Sequence, residues 1–348
     1  MFCKKMKQIP VILAGGRGER FWPLSRIKTP KQNLALMSEK PMILETYQRL
    51  KSFDEFFIIA NKTLCDSFQP LLPPKVGYII EPVARNTAPA IGLACSYLQK
   101  KFGDCVVFFE TADHYYENPG HYVEEIQKAC AFAEKSDKIV LLGIQPDFPH
   151  TGYGYIEQGE LIQDSFYLVR NFKEKPNYET AVEYLEEKTY SWNSGIFIAK
   201  ASVLLKEISK YLPKLDKILS ELKQSEFQEP TLSELFKDAP KISIDHGIME
   251  KSKETVLLKT PLVWDDIGDF NAIARHFKGD NNENIIRGKG TLHALNSSKN
   301  IIISDKLVAL IGAENLVIVE TNDALLICRR SETQKIRDIV KNLDEKYR

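Results

Sequence analysis

Apolar and polar positions follow two different periods along the first half of the chain. Short apolar runs rich in β-branched and aromatic residues occur at 11–13, 56–59, 106–109 and 139–142. Between them the apolar positions spread to a spacing of three to four, as in residues 90–101 behind a Thr87 cap and in the set Val123, Ile126, Cys130 and Ala133. A short continuous apolar run fits a strand buried on both faces, whereas a three-to-four spacing gives a helix a single apolar stripe. Strands alternating with helices predict an α/β domain on a mixed, mostly parallel sheet. From about residue 285 the texture changes, with Gly288, Gly290, Asn296, Asn300, Asp305 and Gly312 punctuating short strands that end in 316–319 and 325–328. The tail sets Ser331 and Gln334 in capping-box spacing and places Ile336, Ile339, Val340 and Leu343 on one helical face, which predicts a docked terminal helix. The expected division is therefore residues 1–282 and residues 283–348, with no legible internal repeat of fixed period.

Length agrees with that division, because 348 residues exceed a single core, which stops growing at roughly 250 to 300 residues. Lysine plus arginine equals aspartate plus glutamate at 47 each, so no global field draws the chain to nucleic acid or an anionic membrane. Any polyanion site must be built locally. The six cysteines, Cys3, Cys65, Cys95, Cys105, Cys130 and Cys328, include no pair at two-residue spacing, which predicts reduced thiols and no zinc site. Lys4, Lys5 and Lys7 precede an apolar stretch that breaks at Gly15 and Gly16, well short of the roughly 18 residues that span a bilayer. The expectation is a cytoplasmic protein without a membrane partner.

The most informative segment follows the first apolar run. Ala14, Gly15, Gly16 and Gly18 open a loop at the carboxyl end of a strand, where open α/β sheets bind ligands. Glycines there let backbone N–H groups approach phosphate oxygens, and Arg17, Arg20, Arg26, Lys28 and Lys31 crowd the next stretch with positive charge. A Walker loop is excluded by the missing Gly-Lys-Ser/Thr, and a dinucleotide loop is disfavoured by Phe21 where a third glycine would stand. Taken alone, the glycines equally describe a tight strand-to-helix turn flanked by solvated cations.

The run continues with Trp22-Pro23-Leu24-Ser25-Arg26 and Pro30-Lys31-Gln32, and as a whole it resembles the opening motif of bacterial mannose-1-phosphate guanylyltransferases. That resemblance implies that Ala14, Gly15, Gly16 and Gly18 wrap a nucleoside triphosphate while Arg20 and Lys31 neutralise it. Two residues depart from the pattern. Glu19 stands at the usual threonine and would set an acid beside the triphosphate, and Asn33 stands at the usual phenylalanine. The segment 81–90, with Glu81, Asn86 and Thr87, is similar to the family's base-recognition stretch; its residues also describe a helix entry capped by Thr87 with Pro89 in the first turn. Thr111-Ala112-Asp113-His114 resembles the metal-binding segment, with Asp113 as ligand and His114 holding the loop; a lone Asp after a strand is otherwise a turn former. In 264–268 the resemblance makes Asp266 the second metal ligand. Asp265 and Asp266 alone would read as a solvated acidic turn, and Asp269 and Phe270 replace the family's serine and tryptophan.

For the sugar phosphate the resemblance implies Gly152, Tyr153 and Gly154, then Glu174 and Lys175, with Lys173 at the usual valine, and Asn193 in the stretch 192–197. The three tryptophans, Trp22, Trp192 and Trp264, are expected as packing anchors. Asp245 belongs to a further similar motif into which His246 and Gly247 intrude, and there it would orient the sugar or a site lysine; a capped helix start with Ile248 and Met249 in the core is the alternative. Segment 320–326, with Asn322 at the usual proline, reads as structural.

The similarity covers nearly the whole chain, in order. It implies a Rossmann-like nucleotidyltransferase domain with a small β-helix-like domain, and transfer of GMP from GTP to mannose 1-phosphate. Catalysis would rest on Arg20, Lys31, Asp113 and Asp266, with Mg²⁺ as cofactor on the two aspartates and Lys175 positioning the sugar phosphate. A homodimer is expected through the β-rich terminus. Many relatives continue into a cupin-like isomerase domain, so isomerase activity is expected to be absent. The rivals are a nucleotidyltransferase for another sugar or base, a non-catalytic nucleotide-sugar sensor suggested by Glu19 and Asp269, and a dehydrogenase.

Overall fold

The structure is a computed structural model that describes residues 5–16, 18–53 and 55–348. Cys3, Lys4 and Arg17, named above, lie outside them. In chain order the strands are β1 (Gln8–Leu13), β2 (Phe57–Ala60), β3 (Gly77–Ile80), β4 (Val106–Thr111), β5 (Tyr115–Tyr116), β6 (Ile139–Ile144), β7 (Gly154–Gln163), β8 (Phe166–Lys173), β9 (Tyr190–Lys200), β10 (Thr255–Thr260), β11 (Trp264–Asp265), β12 (Ile285–Arg287), β13 (Leu292–Leu295), β14 (Ile301–Ile303), β15 (Val308–Ile311), β16 (Leu316–Glu320) and β17 (Leu325–Arg329). The helices are α1 (Met42–Leu50), α2 (Lys62–Phe68), α3 (Thr87–Phe102), α4 (Pro119–Lys135), α5 (Tyr178–Glu187), α6 (Ala201–Tyr211), α7 (Pro213–Gln224), α8 (Thr231–Phe236), α9 (Phe270–His276) and α10 (Ile336–Val340).

Two compact units emerge. The first comprises the chain up to Gly15, Tyr47–Ala112 and Tyr116–Trp264. Its sheet has the order β3-β2-β1-β4-β9-β6-β10-β8-β7. The predicted apolar runs became β1, β2, β4 and β6, and the β3-β2-β1-β4 part is parallel, with Val11 opposite both Phe57 and Phe109. Parallel pairing is less general than expected. Strand β9 runs antiparallel between β4 and β6, and β7 and β8 form an antiparallel hairpin that continues the sheet beyond β10. Residues 190–200 of β9 are almost wholly buried, so the strand lacks the alternation by which an antiparallel strand is usually recognised. Within the same unit Glu110, fully buried, is held by Arg49 and by the Tyr122 hydroxyl, so its charge is neutralised where solvent cannot do so.

Asn86 and not Thr87 caps α3: its Oδ1 accepts from the Thr87 N–H at 2.8 Å while its backbone takes a left-handed φ of 73°. The Thr87 hydroxyl is turned to the Ile244 N–H, accepting at 2.8 Å. Pro89 does sit in the first turn.

The second unit comprises Gly16–Thr46, Asp113–Tyr115 and Asp265–Arg348, a grouping by contacts that cuts across chain order. The reason is a shared core: Phe21, Trp22, Leu36, Met37 and Met42 pack with Ile267, Phe270 and Ile273 and with Ile285, Ile301, Val317, Ile336 and Val340. Strands β12, β14 and β16 stack in parallel, with Ile285, Ile301 and Val317 in register, and β13 and β15 pair in the same way. Successive turns are thus 16 residues apart, a repeat that the sequence did not disclose. Asn300 marks it from inside: its Nδ2 donates to Asn284 Oδ1 at 2.9 Å, and its own Oδ1 accepts from the Leu316 N–H at 2.9 Å.

The tail departs from expectation as well. The segment Arg330–Lys335 is a 3-10 turn without a side-chain cap, followed by the short α10, and Ile339 is exposed. Gln334 is diverted from the expected capping box because its Nε2 donates to Asp269 Oδ2 at 2.6 Å. Cys65, Cys95, Cys105, Cys130 and Cys328 are free thiols. Burial pushes Cys65 and Cys105 up to about 12, so neither is a reactive thiolate at neutral pH. Among the described residues no helix is long and apolar enough to cross a membrane.

Candidate active site

The first unit carries the start of the glycine loop and the candidate base and sugar residues. Ala14 is buried and extends β1 by donating its N–H to the Ile59 carbonyl at 3.1 Å. Beside it Gly15 faces Glu81, whose Oε2 would lie 4.0 Å from an added Cβ. Glu81 is fixed by the Arg85 N–H, which donates to its Oε1 at 3.1 Å; burial raises its pKa, and that hydrogen bond opposes the rise. A buried carboxylate beside a glycine suits acceptance from ring N–H donors of a base.

Gly154 opens a second cluster in this unit. A Cβ there would lie 2.6 Å from Glu174 Oε2 and 3.2 Å from Asn193 Cβ, so the glycine is what lets these side chains close in. Asn193 donates from Nδ2 to Asp245 Oδ1 at 3.1 Å and accepts at Oδ1 from the Gly195 N–H at 3.1 Å. Lys175, with φ of 49°, sets its Nζ 2.8 Å from Glu174 Oε1. Glu250, which the sequence did not single out, reaches both the Glu174 N–H at 3.4 Å and His246 Nδ1 at 3.2 Å. Burial, aided by the neighbouring Glu174 charge, pushes Asp245 up to about 6. Asp245–Met249 is a π-turn without a side-chain cap, not a capped helix start, though Ile248 and Met249 do fill the core. Two carboxylates, a carboxamide and an ammonium around a glycine can grip a polyhydroxylated, anionic ligand. Gly152 donates its N–H to His150 Nδ1 at 3.1 Å. Tyr153 is only 6% exposed, stacked on His150 at 3.8 Å and packed against Trp192 and Trp264, so its ring is part of the packing rather than a free sugar platform.

The second unit gathers the candidate catalytic residues. Gly18 has φ of 67°, and a Cβ there would come 2.2 Å from Lys31 Cβ, so the loop can press on Lys31 only as glycine. Gln32 ties the loop from the other side, donating from Nε2 to the Gly16 carbonyl at 2.9 Å. Lys31 is 4% exposed, and its Nζ donates to Asp113 Oδ2 at 2.7 Å and to the Asp266 main-chain carbonyl at 3.2 Å. One ammonium therefore bridges two residues that lie far apart in sequence. Arg20 reaches the same turn, its Nη1 lying 3.5 Å from the Gly268 carbonyl. His114 is buried, in keeping with a loop-holding part.

The acidic turn expected at Asp265 and Asp266 is not solvated. Asp265 is 4% exposed and accepts from Arg275 Nε at 2.6 Å and Nη2 at 2.8 Å, from the Ile267 N–H at 3.0 Å, and pairs with His276 Nε2 at 2.9 Å. Burial alone would raise its pKa, but the bonds from His276 and Arg275 outweigh it and hold the carboxyl far below the usual range. Asp269 is likewise committed: it caps α9 through the Asn271 N–H at 2.8 Å and accepts from Thr333 at 2.9 Å as well as from Gln334. Phe270 is fully buried and meets Phe21 edge to face at 5.0 Å, which keeps the aromatic packing of the replaced tryptophan. Glu19 lines a cavity of about 210 Å³ together with Arg26, Lys341 and Arg348. Its neighbours in that cavity include three cations.

The donor chemistry here fits a small hard cation. Asp113 and Asp266 offer carboxylate oxygens, and a positive charge, that of Lys31, already lies within reach of both residues. Groups of three or more acidic, histidine or cysteine ligands are absent among the described residues, so water and the oxygens of a bound phosphate would complete the shell.

A glycine loop after β1 of a mixed α/β sheet, with parallel β-rich turns later in the chain, is the architecture of a sugar-phosphate nucleotidyltransferase. The family model described as "Nucleotidyl transferase" matches residues 9–283, and that described as "MannoseP isomerase/GMP-like beta-helix domain" matches residues 290–343. A mannose-1-phosphate guanylyltransferase of Escherichia coli is 36% identical over 97% of this chain and 75% of its own length, and one of Klebsiella pneumoniae is 36% identical over 98% and 74%. A crystal structure from Thermus thermophilus, described as a mannose-1-phosphate geranyltransferase, superposes with a TM-score of 0.89 at 31% identity, covering 97% of this chain and 99% of that one. The chain belongs to the mannose-1-phosphate guanylyltransferase family.

Proposed function

We propose that this chain transfers GMP from GTP to mannose 1-phosphate, releasing pyrophosphate and GDP-mannose. The observation that carries the reading is the Lys31 ammonium held between the Asp113 carboxylate and the Asp266 carbonyl beside a glycine loop. Both substrates are multiply anionic, so the main tasks are neutralising charge and aligning the phosphate oxygen of the sugar with the α-phosphorus. Lys31 and Arg20 hold the triphosphate and the departing pyrophosphate, while Gly15, Gly16 and Gly18 present N–H groups to its oxygens. Glu81 accepts from the guanine N–H donors, with Asn86 and Thr87 shaping the helix entry beside it. Glu174, Asn193 and Asp245 hold the sugar hydroxyls, with Gly152, Tyr153 and Gly154 supplying the backbone wall, and Lys175 meets the sugar phosphate. Asp113 and Asp266 would hold Mg²⁺, which would supply charge neutralisation at the phosphates.

The sensor reading loses the support of Asp269, which is consumed in capping. Residues 1–282 act as the catalytic segment and 283–348 as a β-rich support. The exposed Leu295, Leu307 and Ile311 of that support suit a homodimer in the cytoplasm. A panel of four nucleoside triphosphates against mannose, glucose and heptose 1-phosphates, followed by pyrophosphate release, tests the function. GTP with mannose 1-phosphate should lead in kcat/KM by at least about tenfold, equal to about 1.4 kcal/mol in the transition state. Faster turnover of any other pair, or of none, would refute the proposal.

A further inference from the structure

Asp266 sits in a turn whose shape is not one that its sequence would adopt unaided. Ile267, a fully buried β-branched residue, has φ of 44°, in the left-handed region that such side chains avoid. The turn also folds the Asp266 carboxylate back over its own chain: a Cβ on Gly268 would lie 3.2 and 3.3 Å from its two oxygens. Something must over-determine this conformation. The Ile267 N–H is held by the Asp265 side chain, whose Oδ1 accepts it at 3.0 Å. That carboxylate is immobilised in turn by the guanidinium fork of Arg275 and by His276, both on α9, and the His276 ring is packed at 4.3 Å against Tyr115, which follows closely on Asp113.

We infer that Asp265 is a positioning residue, which clamps the strained turn to α9 and thereby aims the Asp266 carboxylate at the metal; the inference rests on the metal reading of Asp266. An exposed aspartate would leave the turn free to relax to a negative φ at Ile267 and swing the Asp266 carboxylate away. The geometry also explains why the fork matters: Arg275 uses two parallel N–H bonds, which fix the plane of the carboxylate as well as its place. The partners that orient a metal ligand commonly contribute about ten- to a hundredfold in metal affinity.

The test uses the full chain and Mn²⁺ with saturating GTP but no sugar phosphate, so that nothing turns over, and reads bound Mn²⁺ by water-proton relaxation. Asp265→Asn, which keeps the shape and loses the charge, should weaken Mn²⁺ binding by about tenfold or more at a temperature where the variant is folded by circular dichroism. If that variant does not fold, Arg275→Lys decides, since it keeps the charge and removes the fork; it too should weaken Mn²⁺ binding severalfold. Asp266→Asn is run alongside. Wild-type Mn²⁺ affinity in folded Asp265→Asn or Arg275→Lys, with binding lost in Asp266→Asn, would overturn the positioning role alone. Wild-type affinity in Asp266→Asn would instead overturn the metal reading on which it rests.

Discussion

Replacing Gly154 by alanine isolates the cluster proposed to hold the sugar. Its φ is not in the left-handed region, so alanine costs nothing in backbone strain and would gain roughly 0.5 to 1 kcal/mol by restricting the unfolded chain. The new methyl would stand 2.6 Å from Glu174 Oε2 and 3.2 Å from Asn193 Cβ. The first of these is the end of a flexible side chain, which can move aside, so the protein should fold with a melting temperature near that of the parent. What it cannot keep is the carboxylate in place. Losing one hydrogen bond to a charged group is worth about 1.5 to 3 kcal/mol, or roughly a ten- to hundredfold rise in KM for mannose 1-phosphate. The KM for GTP should stay within about twofold, because Gly15 and Glu81 are untouched. Initial rates by pyrophosphate release, with each substrate varied at saturation of the other, measure both. An unchanged KM for the sugar phosphate, or equal rises for both substrates, would refute the placing of the sugar at Glu174.

Two further outcomes follow from local geometry. Gly18→Ala should be destabilising by several kcal/mol in urea unfolding, since a left-handed alanine costs about 1 to 2 kcal/mol and its methyl meets Lys31 Cβ at 2.2 Å; a wild-type midpoint would contradict the loop geometry. For Asp245 the sign runs through its folded pKa, raised to about 6 by burial and then by Glu174. A raised carboxylate contributes stability that is present below its unfolded pKa and is lost as pH rises through about 6. Asp245→Asn, which mimics the neutral form, should therefore melt progressively higher relative to the parent between about pH 4 and pH 7, and a difference independent of pH would count against the shift.

What could be read from the sequence was what local periodicity carries. The apolar runs at 11–13, 56–59, 106–109 and 139–142 located β1, β2, β4 and β6 because a buried strand needs only its own residues to be recognised. Matching motifs likewise pointed to Lys31, Asp113 and Asp266, which the fold draws together. Features that depend on distant partners were hidden. Asp265 looked like half of an acidic turn because Arg275 is ten residues away and meets it only after α9 has folded back. Asp269 and Gln334, 65 residues apart, gave no local sign of their bond, and a capping box was inferred in its place. The 16-residue turns of the β-rich segment escaped notice because register is carried by isoleucine and valine, and beyond the pair Asn284 and Asn300 the punctuation changes, as from Gly288 to Ser304 to Glu320.

Whether Asp113 and Asp266 share one metal ion can be seen by anomalous diffraction from crystals grown with Mn²⁺, GTP and a mannose 1-phosphate analogue unable to react. One strong manganese peak is expected within bonding distance, about 2 Å, of a carboxylate oxygen from each of Asp113 and Asp266, with the Lys31 ammonium turned to the phosphates. A manganese ion bound through neither aspartate, with the Lys31–Asp113 pair still closed beside bound GTP, would contradict it.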